Sequence, residues 1–181
     1  MIIFINGPFG VGKTTTAYLL ASRLHQAMVY DPEIIGTCVR HLVSSVEQAA
    51  DYQDHLLWRI LTVEVARLVQ VSDGGSLIVP MTITRPDYYT SIMDGFRRVD
   101  PDLVCVCLMA SPDTLHARIL ASSDVRAVAW RLDHIQQGLT ALHDPLFGTA
   151  IPTDDRSPTE VADIIMSLLL PSSLNPHIHS R

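Results

Sequence analysis

The residues with the clearest chemistry stand near the start of the chain: Gly7-Pro8-Phe9-Gly10-Val11-Gly12-Lys13-Thr14, in the pattern G-x-x-x-x-G-K-[ST]. Glycines at this spacing let the backbone curl so that successive N–H groups point inward at phosphate oxygens. The lysine then reaches the β- and γ-phosphates, and the Thr14 hydroxyl can ligate magnesium, with Thr15 following on the same turn. Lys13 is also the sole lysine among 13 basic residues. A glycine-rich turn with an incidental Lys-Thr is the bland alternative, and the flanks decide against it. An apolar run, Met1 to Ile5, precedes the loop, and a helical pattern from Lys13 to His25 follows. That strand–loop–helix setting is the one the pattern requires. The residues imply a site for a nucleoside triphosphate, ATP with Mg2+.

Other candidates are spread along the chain. Asp31 and Glu33 follow a short apolar run, Met28 to Tyr30. A carboxylate at the end of such a strand can hold magnesium or take a proton from an attacking hydroxyl, and Glu33 can share that work. Asp31-Pro32 also reads as a helix cap followed by proline, and the two roles are compatible. Arg118, Arg126 and Arg131 surround the polar break at Ser122 to Asp124. This is where a lid would close on a triphosphate, unless all three are solvated helix residues. Trp58 and Arg59, one turn beyond His55, fit either a buried core or a platform for a substrate ring. The run Leu77 to Met81 ends without the metal-binding aspartate of ATP-driven motors, which argues against a motor or a GTPase switch.

These residues need elements to hold them, and the sequence supplies a consistent set. Apolar runs alternate with helical patterns, the mark of a parallel sheet covered on both faces. Strands are expected at Met1–Ile5, Met28–Tyr30, Leu77–Met81, Leu103–Met109 and Gly148–Ile151. Helices are expected at 13–25, 32–42, 54–70, 86–98, 112–120 and 126–142. The run Ser157-Pro158-Thr159-Glu160 is a capping box that starts a last helix to about Leu170. One domain over residues 1–170 accounts for this, with an acceptor-binding insertion at about 32–70, a lid at about 119–131 and a flexible tail at 171–181.

Composition narrows the partners. The formal charge is −6 over 181 residues, so no basic field favours nucleic acid. No apolar run approaches the roughly 18 residues of a spanning helix. Cys38, Cys105 and Cys107 have no metal-type spacing, which suits a reduced, cytoplasmic compartment.

Together the segments MIIFINGPFGVGKT, VYDPEIIG with Arg40, LLWR, LIVPMTI with Pro86 and Tyr88, LMASPDTLHAR, Asp133 with Gly138-Leu139, and IPTDDRSPTEVADII resemble the tunicamycin resistance protein family. The likeness runs from about Met1 to Leu170. It implies an α/β P-loop NTPase fold of nucleoside-monophosphate-kinase type: three layers, α/β/α, with a five-stranded parallel sheet in the order 2-3-1-4-5. It also implies ATP-dependent protection against a uridine-containing nucleoside antibiotic. By this resemblance Lys13 and Thr14 bind ATP and magnesium, Asp31 is the base, Arg118 stacks on adenine and Arg126 is a lid arginine. Arg40, Trp58, Arg59, Met81 and Thr82 then line the acceptor pocket. The end of the chain, NPHIHSR, lacks the basic amphipathic extension of that family, so membrane association is not expected. Three readings stay open: a kinase acting on a small-molecule hydroxyl, a protein that sequesters the drug with ATP as co-ligand, and a sugar or shikimate-like metabolite kinase.

Overall fold

The structure is a computed structural model that describes residues 1–43, 51–122 and 128–169. Five parallel strands, β1 (Ile2–Asn6), β2 (Ala27–Val29), β3 (Ser76–Pro80), β4 (Val104–Met109) and β5 (Thr149–Pro152), form one sheet in the order β2-β3-β1-β4-β5. The registers set Ile5 beside Pro80, Asn6 beside Cys107, and Met109 beside Pro152. The strands therefore end together along one edge. Every residue of β1 is buried, as a central strand covered on both faces requires.

Alternation along the strands divides the core in two. Phe4, Leu77, Val79 and Cys107 face one layer with Trp58, Tyr89, Ile92 and Phe96. That layer is built by α2 (Pro32–Val43), α3 (Leu56–Asp73) and α4 (Pro86–Val99). Ile3, Ile5, Ile78, Val106 and Leu108 face the other, with Ala17, Leu20, Leu115, Leu139 and Ile165. This second layer comprises α1 (Lys13–Arg23), α5 (Pro112–Leu120), α6 (Val128–Asp133), α7 (Ile135–Leu142) and α8 (Pro158–Leu168). The start of α8 has both reciprocal bonds of the capping box between Ser157 and Glu160. No helix among the described residues is long and apolar enough to cross a membrane.

The helix expected from Arg126 to Leu142 differs in the structure. Its first residues lie outside the described ones, and the remainder is two helices broken at His134, where φ is −97° and ψ is 0°. The physical reason is a competition for one carbonyl. His134 Nδ1 lies 2.7 Å from the Trp130 oxygen that the helix would offer to the backbone, so the ring takes that bond as donor. The His134 amide turns instead to Arg131 O at 3.3 Å. The ring also stacks on Trp130, with centroids 4.1 Å apart.

Asn6, fully buried at the end of β1, joins the two central strands just where they end. Its Oδ1 accepts from the amides of Gly7 at 2.9 Å and Ile83 at 3.0 Å, and its Nδ2 donates to Ile83 O at 3.0 Å. Removing this side chain leaves three main-chain groups without partners in a dry place. Asn6→Ala should therefore cost at least about 2 kcal/mol, the range for stranded buried polar groups. Urea denaturation of the variant beside wild type measures this, and an unchanged midpoint would contradict it.

Candidate functional site

Above the strand ends lies a cleft of about 970 Å³. The phosphate loop forms its floor. Gly10 and Gly12 sit at φ +79° and +101°, where side chains are strained, and a Cβ on Gly10 would also lie 2.7 Å from Ile119. Gly12 hands the chain to α1, which has no side-chain cap and no acid in its first turn. The first amides of α1 are thus left to an anionic ligand. Thr14 and Thr15 are exposed and line the cleft.

Lys13 is drawn back over its own loop. Its Nζ donates to Gly7 O and Pro8 O, each at 2.9 Å. Burial lowers its pKa to about 8, against a partial offset from the negative charge of Glu33. Glu33 is exposed by surface area, yet its carboxyl reaches into the cleft. Its pKa is raised, first by lost hydration and next by Asp31, with Lys13 and Arg131 acting the other way. Arg131, on α6, also lines the cleft, so its charge acts on both Lys13 and Glu33. Arg126 lies outside the described residues.

Asp31 follows β2 and lines the cleft, and its Oδ1 accepts from the Glu33 amide at 2.9 Å. The capping bond and a place on the cleft wall thus belong to the same residue. Among the described residues no group of three His, Cys, Asp or Glu side chains could hold a metal. The hydroxyl of Thr14 with one carboxylate, completed by phosphate oxygens and water, is the hard oxygen set that magnesium accepts.

Two expected acceptor residues do not reach the cleft. Trp58 is wholly buried, its Nε1 donating to Pro32 O at 3.0 Å, and its ring meets the edge of Tyr52. Its bulk belongs to the core because α3 turns that face onto α2. Arg59 lies over the Tyr88 ring, 4.2 Å from its centroid, and donates to the carbonyls of Gln53 and Asp54. Both residues instead hold the short turn Tyr52–Asp54, which puts Tyr52 and Gln53 on the cleft wall. Sequence reading missed these two, since a polar stretch with no periodicity gives no orientation. Gly36 is the one signal: a Cβ there would lie 2.6 Å from the Tyr52 ring. Arg40, over the other side of Tyr52 at 5.1 Å, and Met81 and Thr82 do line the cleft. Gln53 Nε2 donates to Thr82 O at 3.0 Å, and Thr82 Oγ1 donates to Gly7 O at 2.8 Å.

Arg118 is anchored rather than loose. Its guanidinium donates to Thr153 Oγ1 at 3.0 Å, Thr153 O at 2.7 Å and Val11 O at 3.4 Å. The loop after β5 is fixed in turn by Asp154, which accepts from Ser111 and Thr114. Those bonds, led by the Ser111 hydroxyl, pull its pKa down to about 2.

The lowered pKa of Lys13 gives a pH test. The unfolded chain holds this proton up to an ordinary lysine value, so folding gains stability as pH rises from 8 towards 10.5. Phosphate binding needs the charge, so it weakens over the same window. ATP affinity measured by calorimetry should hold steady below pH 8 and then fall by up to about tenfold per pH unit. Lys13→Met should bind weakly with a flat profile, and a steep profile in that variant would show that another group titrates.

Residues 2–142 match the family model described as AAA domain. No curated protein sequence matches the chain. Among solved structures, the tunicamycin resistance protein of Deinococcus radiodurans is 28% identical, with 93% of this chain and 94% of that one covered and a TM-score of 0.73. A gluconokinase from Sinorhizobium meliloti is 17% identical (92% and 90% covered, TM-score 0.63). A shikimate kinase from Bacteroides thetaiotaomicron is 18% identical (93% and 98%, TM-score 0.61). These last two speak for the kinase-like P-loop fold alone. With its phosphate loop, its strand order and more than two thirds of its length matched, the chain belongs to the AAA domain family.

Proposed function

We propose that the protein transfers a phosphoryl group from ATP to a hydroxyl of a small molecule, a nucleoside antibiotic of the tunicamycin type, and so confers resistance to it. The observation that carries this reading is one continuous cleft with a complete phosphate loop on its floor and two carboxylates, Asp31 and Glu33, on its wall. A solved neighbour that is 28% identical over nearly the whole of both chains is a tunicamycin resistance protein.

In this reading the loop amides, the α1 terminus and Lys13 hold the triphosphate, and Lys13 leaves the carbonyls of Gly7 and Pro8 to do so. Asp31 orients the acceptor hydroxyl and takes its proton as the oxygen bonds to the γ-phosphorus and the bond to ADP breaks. Thr14 and Asp31 would hold magnesium, which when bound would neutralise phosphate charge. Arg131 lies where it can meet the transferring group, and Arg118 borders the nucleotide side with Thr153. Tyr52, Gln53, Arg40, Met81 and Thr82 bound the acceptor. Three carboxylates there, Asp31, Glu33 and Asp51, stand with Arg40. An acidic acceptor such as a sugar acid would meet like charge, which favours an uncharged nucleoside over the metabolite-kinase reading. A cytoplasmic location, where ATP is supplied and three free cysteines stay reduced, fits the same reading.

Sequestration with ATP as co-ligand is the second reading, favoured by the capping bond that occupies one oxygen of Asp31. Asp31→Asn separates the two. Asparagine still caps α2, so the fold should stand. Turnover should fall by roughly 10²-fold or more if the carboxylate is the base. The measurement pairs the mass of the drug after incubation with ATP and magnesium with survival of cells that carry each protein. Protection by wild type without any mass gain of a phosphoryl group would refute the kinase.

A further inference from the structure

The mechanism leaves one aromatic contact without a task. Phe9 occupies a variable position of the phosphate loop, two residues after Gly7, and it faces the cleft beside Lys13, whose Nζ lies 5.6 Å from the ring centroid. Trp130 of α6 meets Phe9 edge to face, with centroids 5.0 Å apart and planes at 70°. Trp130 lines the same cleft with 48% of its surface exposed, much for so large an apolar ring. One of its faces is covered by the stacked His134, whose bond to the Trp130 carbonyl fixes both rings. Val128 and Leu132, on the same short helix, pack with Phe9 against the inner core layer. A second contact tethers the loop to α7: a Cβ on Gly138 would lie 3.5 Å from Pro8. The apolar residues of the phosphate loop are thus docked on α6 and α7 at the place where the charges of Lys13, Glu33 and Arg131 meet.

From this geometry we infer that Phe9 and Trp130 form an apolar shield that keeps water from the phosphoryl group in transit, so that the acceptor hydroxyl and not water receives it. The inference rests on the phosphoryl-transfer reading and deepens it. The two outcomes at the phosphorus compete. In transfer, the acceptor oxygen bonds to the γ-phosphorus, its proton passes to a carboxylate and ADP leaves. In the side reaction, a water oxygen forms that bond, its proton is released, and the products are ADP and inorganic phosphate. Nothing in the phosphate loop itself distinguishes the two nucleophiles, since Lys13 and the amides stabilise charge on the phosphate in either case. Discrimination then depends on which nucleophile can reach the phosphorus, and an apolar pair beside Lys13 obstructs the small one. Exposure of Trp130 on the cleft side leaves room for an acceptor to complete the cover.

The experiment measures inorganic phosphate release and phosphorylated acceptor in parallel, with magnesium and ATP, for wild type, Trp130→Ala, Trp130→Phe and Phe9→Ala. An edge-to-face pair biases a contact by up to about tenfold. Trp130→Ala and Phe9→Ala should therefore raise phosphate release by about tenfold, both with and without acceptor. ATP affinity should change little in Trp130→Ala, because no phosphate ligand is removed. Trp130→Phe, which keeps an aromatic edge, should restore most of the wild-type ratio. A Trp130→Ala protein in which phosphate release stays at the wild-type rate, or falls together with ATP affinity, would overturn the proposal, as would failure of Trp130→Phe to restore the ratio. If wild type phosphorylates no acceptor, the kinase reading fails, while a rise in phosphate release in the variants still supports the shield.

Discussion

The site depends on one carbonyl. Gly7 O, where β1 gives way to the loop, accepts from Lys13 Nζ at 2.9 Å and from Thr82 Oγ1 at 2.8 Å. The amide of the same residue is bonded to Asn6 Oδ1, which also holds Ile83. Thr82 O in turn takes the Gln53 amide. A short chain of hydrogen bonds thus runs from Lys13 to Gln53 on the cleft wall. Such a network is worth keeping only if every member is satisfied, and here the buried members are. Its effect is geometric: the end of β3 cannot shift against the end of β1 without breaking a bond to the loop.

Charge is arranged around that anchor within the cleft. Lys13 is depressed by burial and Glu33 is raised by the same cause, so each is brought nearer to neutrality than in water. They oppose this in each other through attraction, and Arg131 acts on both. A bound triphosphate would tip the balance by adding negative charge beside Lys13 and favouring its ammonium. The charge of Lys13 is thus set jointly by burial, Glu33 and Arg131.

Much of this was legible in the sequence because it rests on local chemistry. Gly10 and Gly12 need positive φ, Ser157 needs Glu160 three residues on, and Ile2 to Ile5 is apolar throughout because it is covered on both faces. What escaped depends on contacts between distant segments. Trp58 and Arg59 have the types of ligand residues, but only the packing of α3 on α2 turns Trp58 inward and lays Arg59 on Tyr88. Tyr52 gains its place from Gly36, sixteen positions earlier, which has no side chain to keep its ring away. The break at His134 escaped for another reason. Its ring competes with its own backbone for Trp130 O, and no hydrophobic period records that choice.

Family membership fixes the phosphate loop and leaves the acceptor chemistry to the walls. Within a P-loop fold, a carboxylate at the end of the strand beside β1 commonly holds the metal for a water-driven cycle. Here that strand is β3, and it ends at Pro80 with Thr82 just beyond, tied to Gly7 by its hydroxyl. The nearby carboxylates are Asp31 and Glu33, which follow β2, one strand further out. There they share a wall with Tyr52 and Arg40, and Glu33 is still close enough to the loop for its charge to act on Lys13. Where the acids stand in the sheet, more than the loop that all these folds share, is what sets this cleft apart from that arrangement.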